Sequence, residues 1–350
     1  MKSFEKNIRK VEPYVPGEQP RQKVIKLNTN ENPYPPAPGV KKILENMDAD
    51  RLRLYPDPTS GELIKALAKY YGVGEDQVFA GVGSDDVLSM CFLTFFNSEK
   101  PILFPDITYS FYKVWAGLYR IPYECCALDG NFRIVKEDYY RENGGVIFPN
   151  PNAPTGLYQE LGDVEDIIRN NQDVIVIVDE AYVDFAGKSA VGLVDKYDNL
   201  IVVQTFSKAR SMAGMRIGYA ISNPLLIRYL NDAKYSFNSY TMNPLSIACG
   251  AEAVRDRAYF EEGLRKITET REWAKEQLSG LGFSCLDSKA NFIFATHPQY
   301  DAGELFKALK EKGIYVRHWD AERISQYLRI TVGTREEMEI FFDFLRRYMK

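Results

Sequence analysis

The chain is 350 residues long and 45% apolar, and its 44 basic and 48 acidic residues leave a net charge of −4. That length buries one large core or two unequal ones, and the balanced charge, with no long run of one sign, argues against a nucleic-acid groove or an anionic membrane surface as partner. Only two histidines, and five irregularly spaced cysteines with no CxxC, remove most histidine-based triads and metal sites, so no metal is expected and the chemistry must rest on other side chains.

The start, "MKSFEKNIRK", has charges where a signal peptide needs an apolar segment, and no apolar run approaches the roughly 18 residues of a membrane span, so a cytoplasmic enzyme is expected. Residues 12–39, "EPYVPGEQPRQKVIKLNTNENPYPPAPG", are rich in proline and asparagine and read as an extended arm ordered by packing against a partner. From about 60 to 245, helical patterns such as "GELIKALAKYYG" alternate with the apolar runs "VFAG", "PILF", "GGVIF", "VIVIVDE", "LIVVQTF" and "MRIGYAI". That alternation predicts parallel strands joined by crossover helices. Beyond 250 come a long charged helical stretch, "ANFIFAT", the helix "AGELFKALKEKG", "IYVRHW", "YLRITVG" and a last helix, "REEMEIFFDFLRRYM". Asp301 with Glu304, and Thr334 with Glu337, have capping-box spacing, and Gly313 sits where a helix C-cap belongs. The division expected is an N-terminal arm over 1–40, packed with the small domain and a partner subunit, a large α/β domain over 41–245 and a small α/β domain over 246–350.

Strand ends carry the functional signals, because open α/β sheets place their ligands at the carboxyl edge. In "VFAGVGSDDVLSM" a strand ends at Gly81-Val82-Gly83 and Ser84 is expected to cap the next helix, which reads either as a tight turn or as a phosphate cradle of free N–H groups at a positive helix end. Asp85 and Asp86 oppose the second reading unless their side chains turn away. In "VIVIVDEAY" Asp179 leaves a buried strand and needs a cation, solvent or a cap. Tyr109 in "FPDITYSFY" is either a core aromatic or a flat face for a ring, and "PNPNAPTG" (149–156) is a polar, proline-broken loop. Lys208 follows the strand "LIVVQTF", with Arg216 eight positions on. A phosphate nest, a stacking aromatic, an amide-bearing loop, a strand-end carboxylate, a lysine and an arginine together suit pyridoxal 5′-phosphate, whose aldehyde bonds to a lysine, whose ring nitrogen needs a carboxylate and whose phosphate needs N–H groups and an arginine.

In this order, "LNTNENPYPP", "RLYPDP", "GVGSDD", "ITYSFY", "PNAPTG", "VDEAYVDF", "TFSKARSMAGMRIGY" and "YLRITVGT" resemble the fold-type I aminotransferases along nearly the whole chain, and within them the histidinol-phosphate aminotransferases. The resemblance implies a large domain with a mainly parallel seven-stranded sheet between helices, and transfer of an amino group between histidinol phosphate and 2-oxoglutarate, giving imidazole acetol phosphate and glutamate in histidine biosynthesis. It implies that Lys208 binds the cofactor and shuttles protons, that Asp179 holds the ring nitrogen charged, that Tyr182 meets the phenolic oxygen and that Tyr109 stacks on the ring. Gly83, Ser84, Asp85, Thr205, Ser207 and Arg216 would hold the phosphate, joined by Tyr55 from the neighbouring subunit of a homodimer. Arg329, Arg317, Tyr14 and Asn30 would meet the substrate. Where most of the family has asparagine before Pro-Thr-Gly, this chain has Ala153, and Asn152 is expected to take its place. The alternatives within the same fold are an aromatic aminotransferase and a threonine-phosphate decarboxylase; a regulator or scaffold that has lost catalysis is the reading outside enzymes, and Lys208 argues against it.

Overall fold

Apolar runs separated by amphipathic helices become a seven-stranded sheet flanked by helices in a computed structural model that describes residues 3–350. The arm contributes β1 (Ile25–Lys26) and is followed by α1 (Pro38–Glu45) and α2 (Gly61–Tyr71). The large sheet and its crossovers then run through β2 (Val78–Gly81), α3 (Ser84–Phe95), β3 (Ile102–Pro105), α4 (Phe111–Tyr119), β4 (Tyr123–Cys126), β5 (Val146–Pro149), α5 (Leu161–Arg169), β6 (Val176–Asp179), β7 (Leu200–Thr205) and β8 (Gly218–Ser222). Helices α6 (Pro224–Phe237), α7 (Pro244–Arg255) and α8 (Arg257–Gly280) lead to β9 (Ser284–Cys285), β10 (Phe292–Thr296), α9 (Ala302–Glu311), β11 (Ile314–Tyr315), β12 (Arg317–His318), β13 (Leu328–Thr331) and α10 (Arg335–Tyr348).

The large sheet has the order β2-β8-β7-β6-β5-β3-β4, and only β8 runs antiparallel to its neighbours. Strands β2, β3, β5, β6 and β7 are buried at every position, as expected where helices cover both faces of a parallel sheet. Parallel pairing sets Pro149 opposite Asp179 and Asp179 opposite Val203, so the carboxyl ends of β5, β6 and β7 share one edge. The expected strands are all present, but β4 was not anticipated. It is the edge strand, with Tyr123 and Glu124 exposed, and so lacks the continuous apolar signature of its neighbours.

Ile247, Cys249 and Ala251 of α7 pack into the apolar cluster that holds Leu63, Leu67 and Ile217. Phe260 and Ile267 of α8 join Phe292 and Phe341 in a separate cluster. We therefore propose that the small domain begins at the α7–α8 junction near Asp256 rather than at 246. Its sheet, β12-β13-β10-β9, is antiparallel throughout. The arm is sewn into this region: β1 pairs in parallel with β11, Leu27 N–H donates to the Tyr315 carbonyl at 2.7 Å, and Thr331 N–H donates to the Leu27 carbonyl at 3.0 Å. Thr334 and Glu337 form the expected reciprocal box. Asp301 caps Glu304 N–H at 3.0 Å, but the Glu304 carboxylate turns to Lys307 at 2.9 Å, so only half of that box exists. Among the described residues no helix is long and apolar enough to cross a membrane.

Candidate active site

Two adjoining cavities open at the edge where β5, β6 and β7 end. The inner one, about 190 Å³, is lined by Ser84, Asp85, Tyr109, Asp179, Tyr182, Thr205, Ser207, Lys208 and Arg216. The outer one, about 870 Å³, shares Asp85, Tyr109, Tyr182, Lys208 and Arg216 with it and adds Tyr14, Asn30, Arg317, Trp319 and Arg329. Lys208 thus stands on the wall common to both, its Nζ donating to the Thr29 carbonyl of the arm at 3.0 Å.

At one end of the inner cavity, the turn after β2 brings the N-terminus of α3 to the surface. The cap is Gly83, not Ser84: at φ +87° it turns the chain so that the helix begins at Ser84, whose hydroxyl is left on the cavity wall. The positive φ calls for glycine at 83, and a Cβ on Gly218 would lie 2.2 Å from the Gly83 carbonyl carbon, so 218 needs glycine for the close approach of the two backbones. The leading N–H groups of α3 have no partner within the helix, and Arg216, which donates to Ser207 Oγ at 3.3 Å, adds a cation. Asp86 turns away to accept from Val82 N–H at 2.9 Å. Asp85 does not: it receives the Tyr109 hydroxyl at 2.8 Å and lies 3.4 Å from Arg216. A phosphate would therefore compete for Arg216 with a single long, half-exposed ion pair, a weak competitor in water. Thr205 reaches the cavity, though its hydroxyl also accepts from Ser207 N–H at 3.1 Å and donates to the Ile217 carbonyl at 3.3 Å.

At the other end lies Asp179, 4% exposed. Its carboxylate accepts from the Tyr112 hydroxyl at 2.8 Å and from Ala181 N–H at 3.2 Å, and among the described residues no cation pairs with it. Burial pushes the carboxyl up to about 6, against the two hydrogen bonds that favour its ionised form. A buried carboxylate with two donors and no counter-charge suits the protonated nitrogen of a ring bound in the cavity, and the helix N-terminus with Arg216 suits a phosphate at the far end; the residues present fit pyridoxal 5′-phosphate.

The raised Asp179 value has a stability consequence. Because the folded-state value lies above the unfolded one, the carboxyl's stabilising contribution is complete only below about pH 4 and disappears as pH rises through about 6. The rise from 3.8 to about 6 makes burial of the ionised group cost about 3 kcal/mol at pH 8. Asp179→Asn forfeits one hydrogen bond but no buried charge, so the cofactor-free variant is expected to be more stable by about 2 kcal/mol at pH 8 and no more stable than the parent at pH 4. Thermal melts of the two apo-proteins at both pH values check this, and equal melting temperatures at pH 8 would show that Asp179 is well solvated or paired.

The outer cavity is marked by Arg317 and Arg329, which are cross-strand partners in the β12–β13 pair. Like charges set directly opposite destabilise a sheet, and here they flank one indole, Arg317 at 5.3 Å and Arg329 at 5.1 Å from the Trp319 ring. Arg329 donates to the Asn28 carbonyl at 2.9 Å, yet its Nε is buried without a hydrogen-bond partner among the described residues. Burial lowers the Arg329 pKa, and the adjacent Arg317 lowers it further. Tyr14 stacks on Phe111 at 4.4 Å beside this pair; burial raises its pKa while the two arginines pull it down. An anion between the guanidinium groups would relieve each of these costs.

Two expected residues stand elsewhere, and the amide of a third is already engaged. Asn152 does not face the cavity: its amide accepts from Thr108 Oγ1 at 3.0 Å and donates to the Ile107 carbonyl at 3.0 Å and to Thr155 at 3.2 Å, bracing its own loop while Ala153 lines both cavities. Asn30 lines the outer cavity, but its amide is held by Tyr182 at 2.9 Å and Thr331 at 3.1 Å. Tyr55 touches neither cavity; it is 82% exposed beside Tyr240, ring centroids 4.6 Å apart. Sequence reasoning missed Tyr112, Trp319 and Glu31. Tyr112 follows Tyr109 at helical spacing, a weak sign in a chain with 23 tyrosines. Glu31 lines the inner cavity, where burial raises its pKa but hydrogen bonds from Lys26 and Thr29 prevail and hold it below the usual value.

Residues 22–345 match the family model described as aminotransferase class I and II. The histidinol-phosphate aminotransferase of Lactococcus lactis subsp. cremoris (strain MG1363) is 52% identical over 349 residues, 99% of this chain and 98% of that protein. Among solved structures, the histidinol-phosphate aminotransferase from Clostridium acetobutylicum aligns with a TM-score of 0.86 at 22% identity, covering 93% of this chain and 99% of that one. The Sinorhizobium meliloti histidinol-phosphate aminotransferase in complex with pyridoxal-5'-phosphate aligns at 0.84 and 22% identity, covering 93% and 92%.

Proposed function

Because the chain belongs to the class I and II aminotransferase family, we infer that it binds pyridoxal 5′-phosphate and reversibly transfers the amino group between L-histidinol phosphate and 2-oxoglutarate, giving imidazole acetol phosphate and L-glutamate, in histidine biosynthesis. When bound, the cofactor supplies an electron-poor ring that accepts the electron pair left when the substrate carbon loses its proton. Asp179, steadied by Tyr112, would keep the ring nitrogen positive. The α3 N-terminus, Ser84, Ser207 and Arg216 would hold the phosphate, Tyr109 would supply a flat face for the ring and Tyr182 a donor for its phenolic oxygen. Lys208 Nζ would be the group that attaches the cofactor and, when free, the base and acid that holds and moves the proton of the amine-bearing carbon. Arg317 and Arg329 bind the phosphate of one substrate and a carboxylate of the other, with Tyr14 adding a hydroxyl.

The observation that carries the substrate assignment is the opposed arginine pair around Trp319. Histidinol phosphate has no carboxylate, and its dianionic phosphate engages two guanidinium forks better than one. The test is a half-reaction panel in which histidinol phosphate, phenylalanine, glutamate and threonine phosphate are each mixed with the cofactor-loaded protein and the absorbance change is timed. Histidinol phosphate and glutamate are expected to react productively; faster reaction with phenylalanine, or loss of carbon dioxide from threonine phosphate, would assign the protein to one of those activities instead.

A cytoplasmic homodimer with shared sites completes the reading. Tyr55, 82% exposed, packs on Tyr240, itself 46% exposed, and a contiguous exposed aromatic patch is a mark of an interface. If Tyr55 serves the partner's phosphate site, mixing Tyr55→Phe with Lys208→Ala protein restores part of the activity, because each heterodimer contains one site with both residues intact. Absence of recovery, with subunit exchange verified by mass spectrometry, would place Tyr55 outside the neighbouring site.

A further inference from the structure

No side-chain amide of the loop that follows β5 reaches the inner cavity. Asn150 is tied to Gln159 by two hydrogen bonds, at 3.0 and 2.8 Å, Asn152 is spent on its own loop, and Ala153 presents only a methyl group. Tyr182 is the neighbouring donor, and the direction of its proton is decided behind it. Asn30 N–H donates to Thr331 Oγ1 at 3.0 Å, and Thr331 Oγ1 in turn donates to Asn30 Oδ1 at 3.1 Å. The Asn30 amide thus turns Oδ1 toward Thr331 as acceptor and Nδ2 toward Tyr182 as donor. Nδ2 then donates to the Tyr182 hydroxyl at 2.9 Å, which leaves the tyrosine's own proton free to point into the cavity. The backbone is held as firmly: Asn30 is 1% exposed, sits at φ +57°, and its carbonyl accepts from Asn291 at 2.9 Å.

We propose that Asn30 is a positioning residue that fixes the Tyr182 hydroxyl as a hydrogen-bond donor into the inner cavity, so that this one phenol holds the ring oxygen of a bound pyridoxal phosphate. The inference rests on the cofactor reading above. A donor at that oxygen stabilises the form carrying more negative charge there, and therefore lowers the pH at which the bound cofactor's absorption titrates.

Asn30→Gly tests this cleanly, because glycine accepts the left-handed backbone and keeps the N–H and carbonyl contacts while removing only the amide. Its titration midpoint is expected to rise by about half to one pH unit, and to rise no further when the same change is made in a Tyr182→Phe background. Thr331→Val, which removes the hydroxyl that orients the amide, is expected to move the midpoint in the same direction and guards against a folding defect in the glycine variant. Unchanged midpoints in both variants, or an equal rise in the Tyr182→Phe background, would overturn the proposal. If the unaltered protein develops no titrating band with pyridoxal phosphate, the cofactor reading itself falls, and the inference with it.

Discussion

Replacing Lys208 with alanine is expected to lower kcat/KM by about 10⁴-fold or more, some 5 kcal/mol of transition-state stabilisation, while leaving the fold intact. The two effects separate because the side chain performs two chemical tasks and little structural work. In the proposed role it anchors the cofactor and moves the proton, and among the described residues no other amine lines the inner cavity to replace it. Structurally it makes one hydrogen bond, to the Thr29 carbonyl at 3.0 Å, worth about 1 kcal/mol. Thermal melting and far-UV circular dichroism report the fold and single-turnover kinetics the chemistry; turnover within tenfold of the parent would refute the assignment of Lys208.

The second large effect separates the two substrates. Arg317→Ala is expected to weaken the histidinol phosphate half-reaction by about 2 to 4 kcal/mol, some 30- to 1,000-fold, and the glutamate half-reaction by less. Arg329→Ala is expected to impair both, since Arg329 is the arginine whose buried Nε has no other partner. Neither loss is expected to come from unfolding, because removing one of two opposed cations relieves repulsion in the free protein. Single-turnover constants for each variant with each substrate are the readout. Equal losses for both substrates in Arg317→Ala would show that the phosphate is recognised elsewhere and return the aromatic aminotransferase reading to consideration.

Much of this arrangement was legible in the sequence because strand-end positions follow from backbone rules. Asp179 and Lys208 are displayed at the edge by the apolar runs that precede them, and Thr334 with Glu337 announces its cap by spacing alone. What was not legible depends on side-chain direction. The cap of α3 is Gly83 rather than the expected Ser84 because a φ of +87° is invisible in a string of letters. Asn152 was assigned to the cavity by proximity to Ala153, yet the turn of its loop points the amide at Ile107 and Thr108. Trp319 and Tyr112 gain their roles only when β12 meets β13 and α4 meets β6, contacts between segments that no local pattern encodes.

The arm gives the site an unusual timing. Its Asn28 carbonyl engages Arg329, and its Asn30 engages Thr331, each across 301 residues of chain, while Thr29 engages Lys208 across 179. Loop-closure entropy grows only logarithmically with length, so such spans add little to the thermodynamic cost; their effect is kinetic. The inner cavity is lined wholly by residues between Thr29 and Arg216, whereas the outer one also needs Arg317, Trp319 and Arg329, so the walls around Lys208 and Asp179 do not depend on β12 and β13 while those of the outer cavity do. The outer cavity is therefore expected to be the last part of the site to form, once β13 has paired with β12 and met the arm.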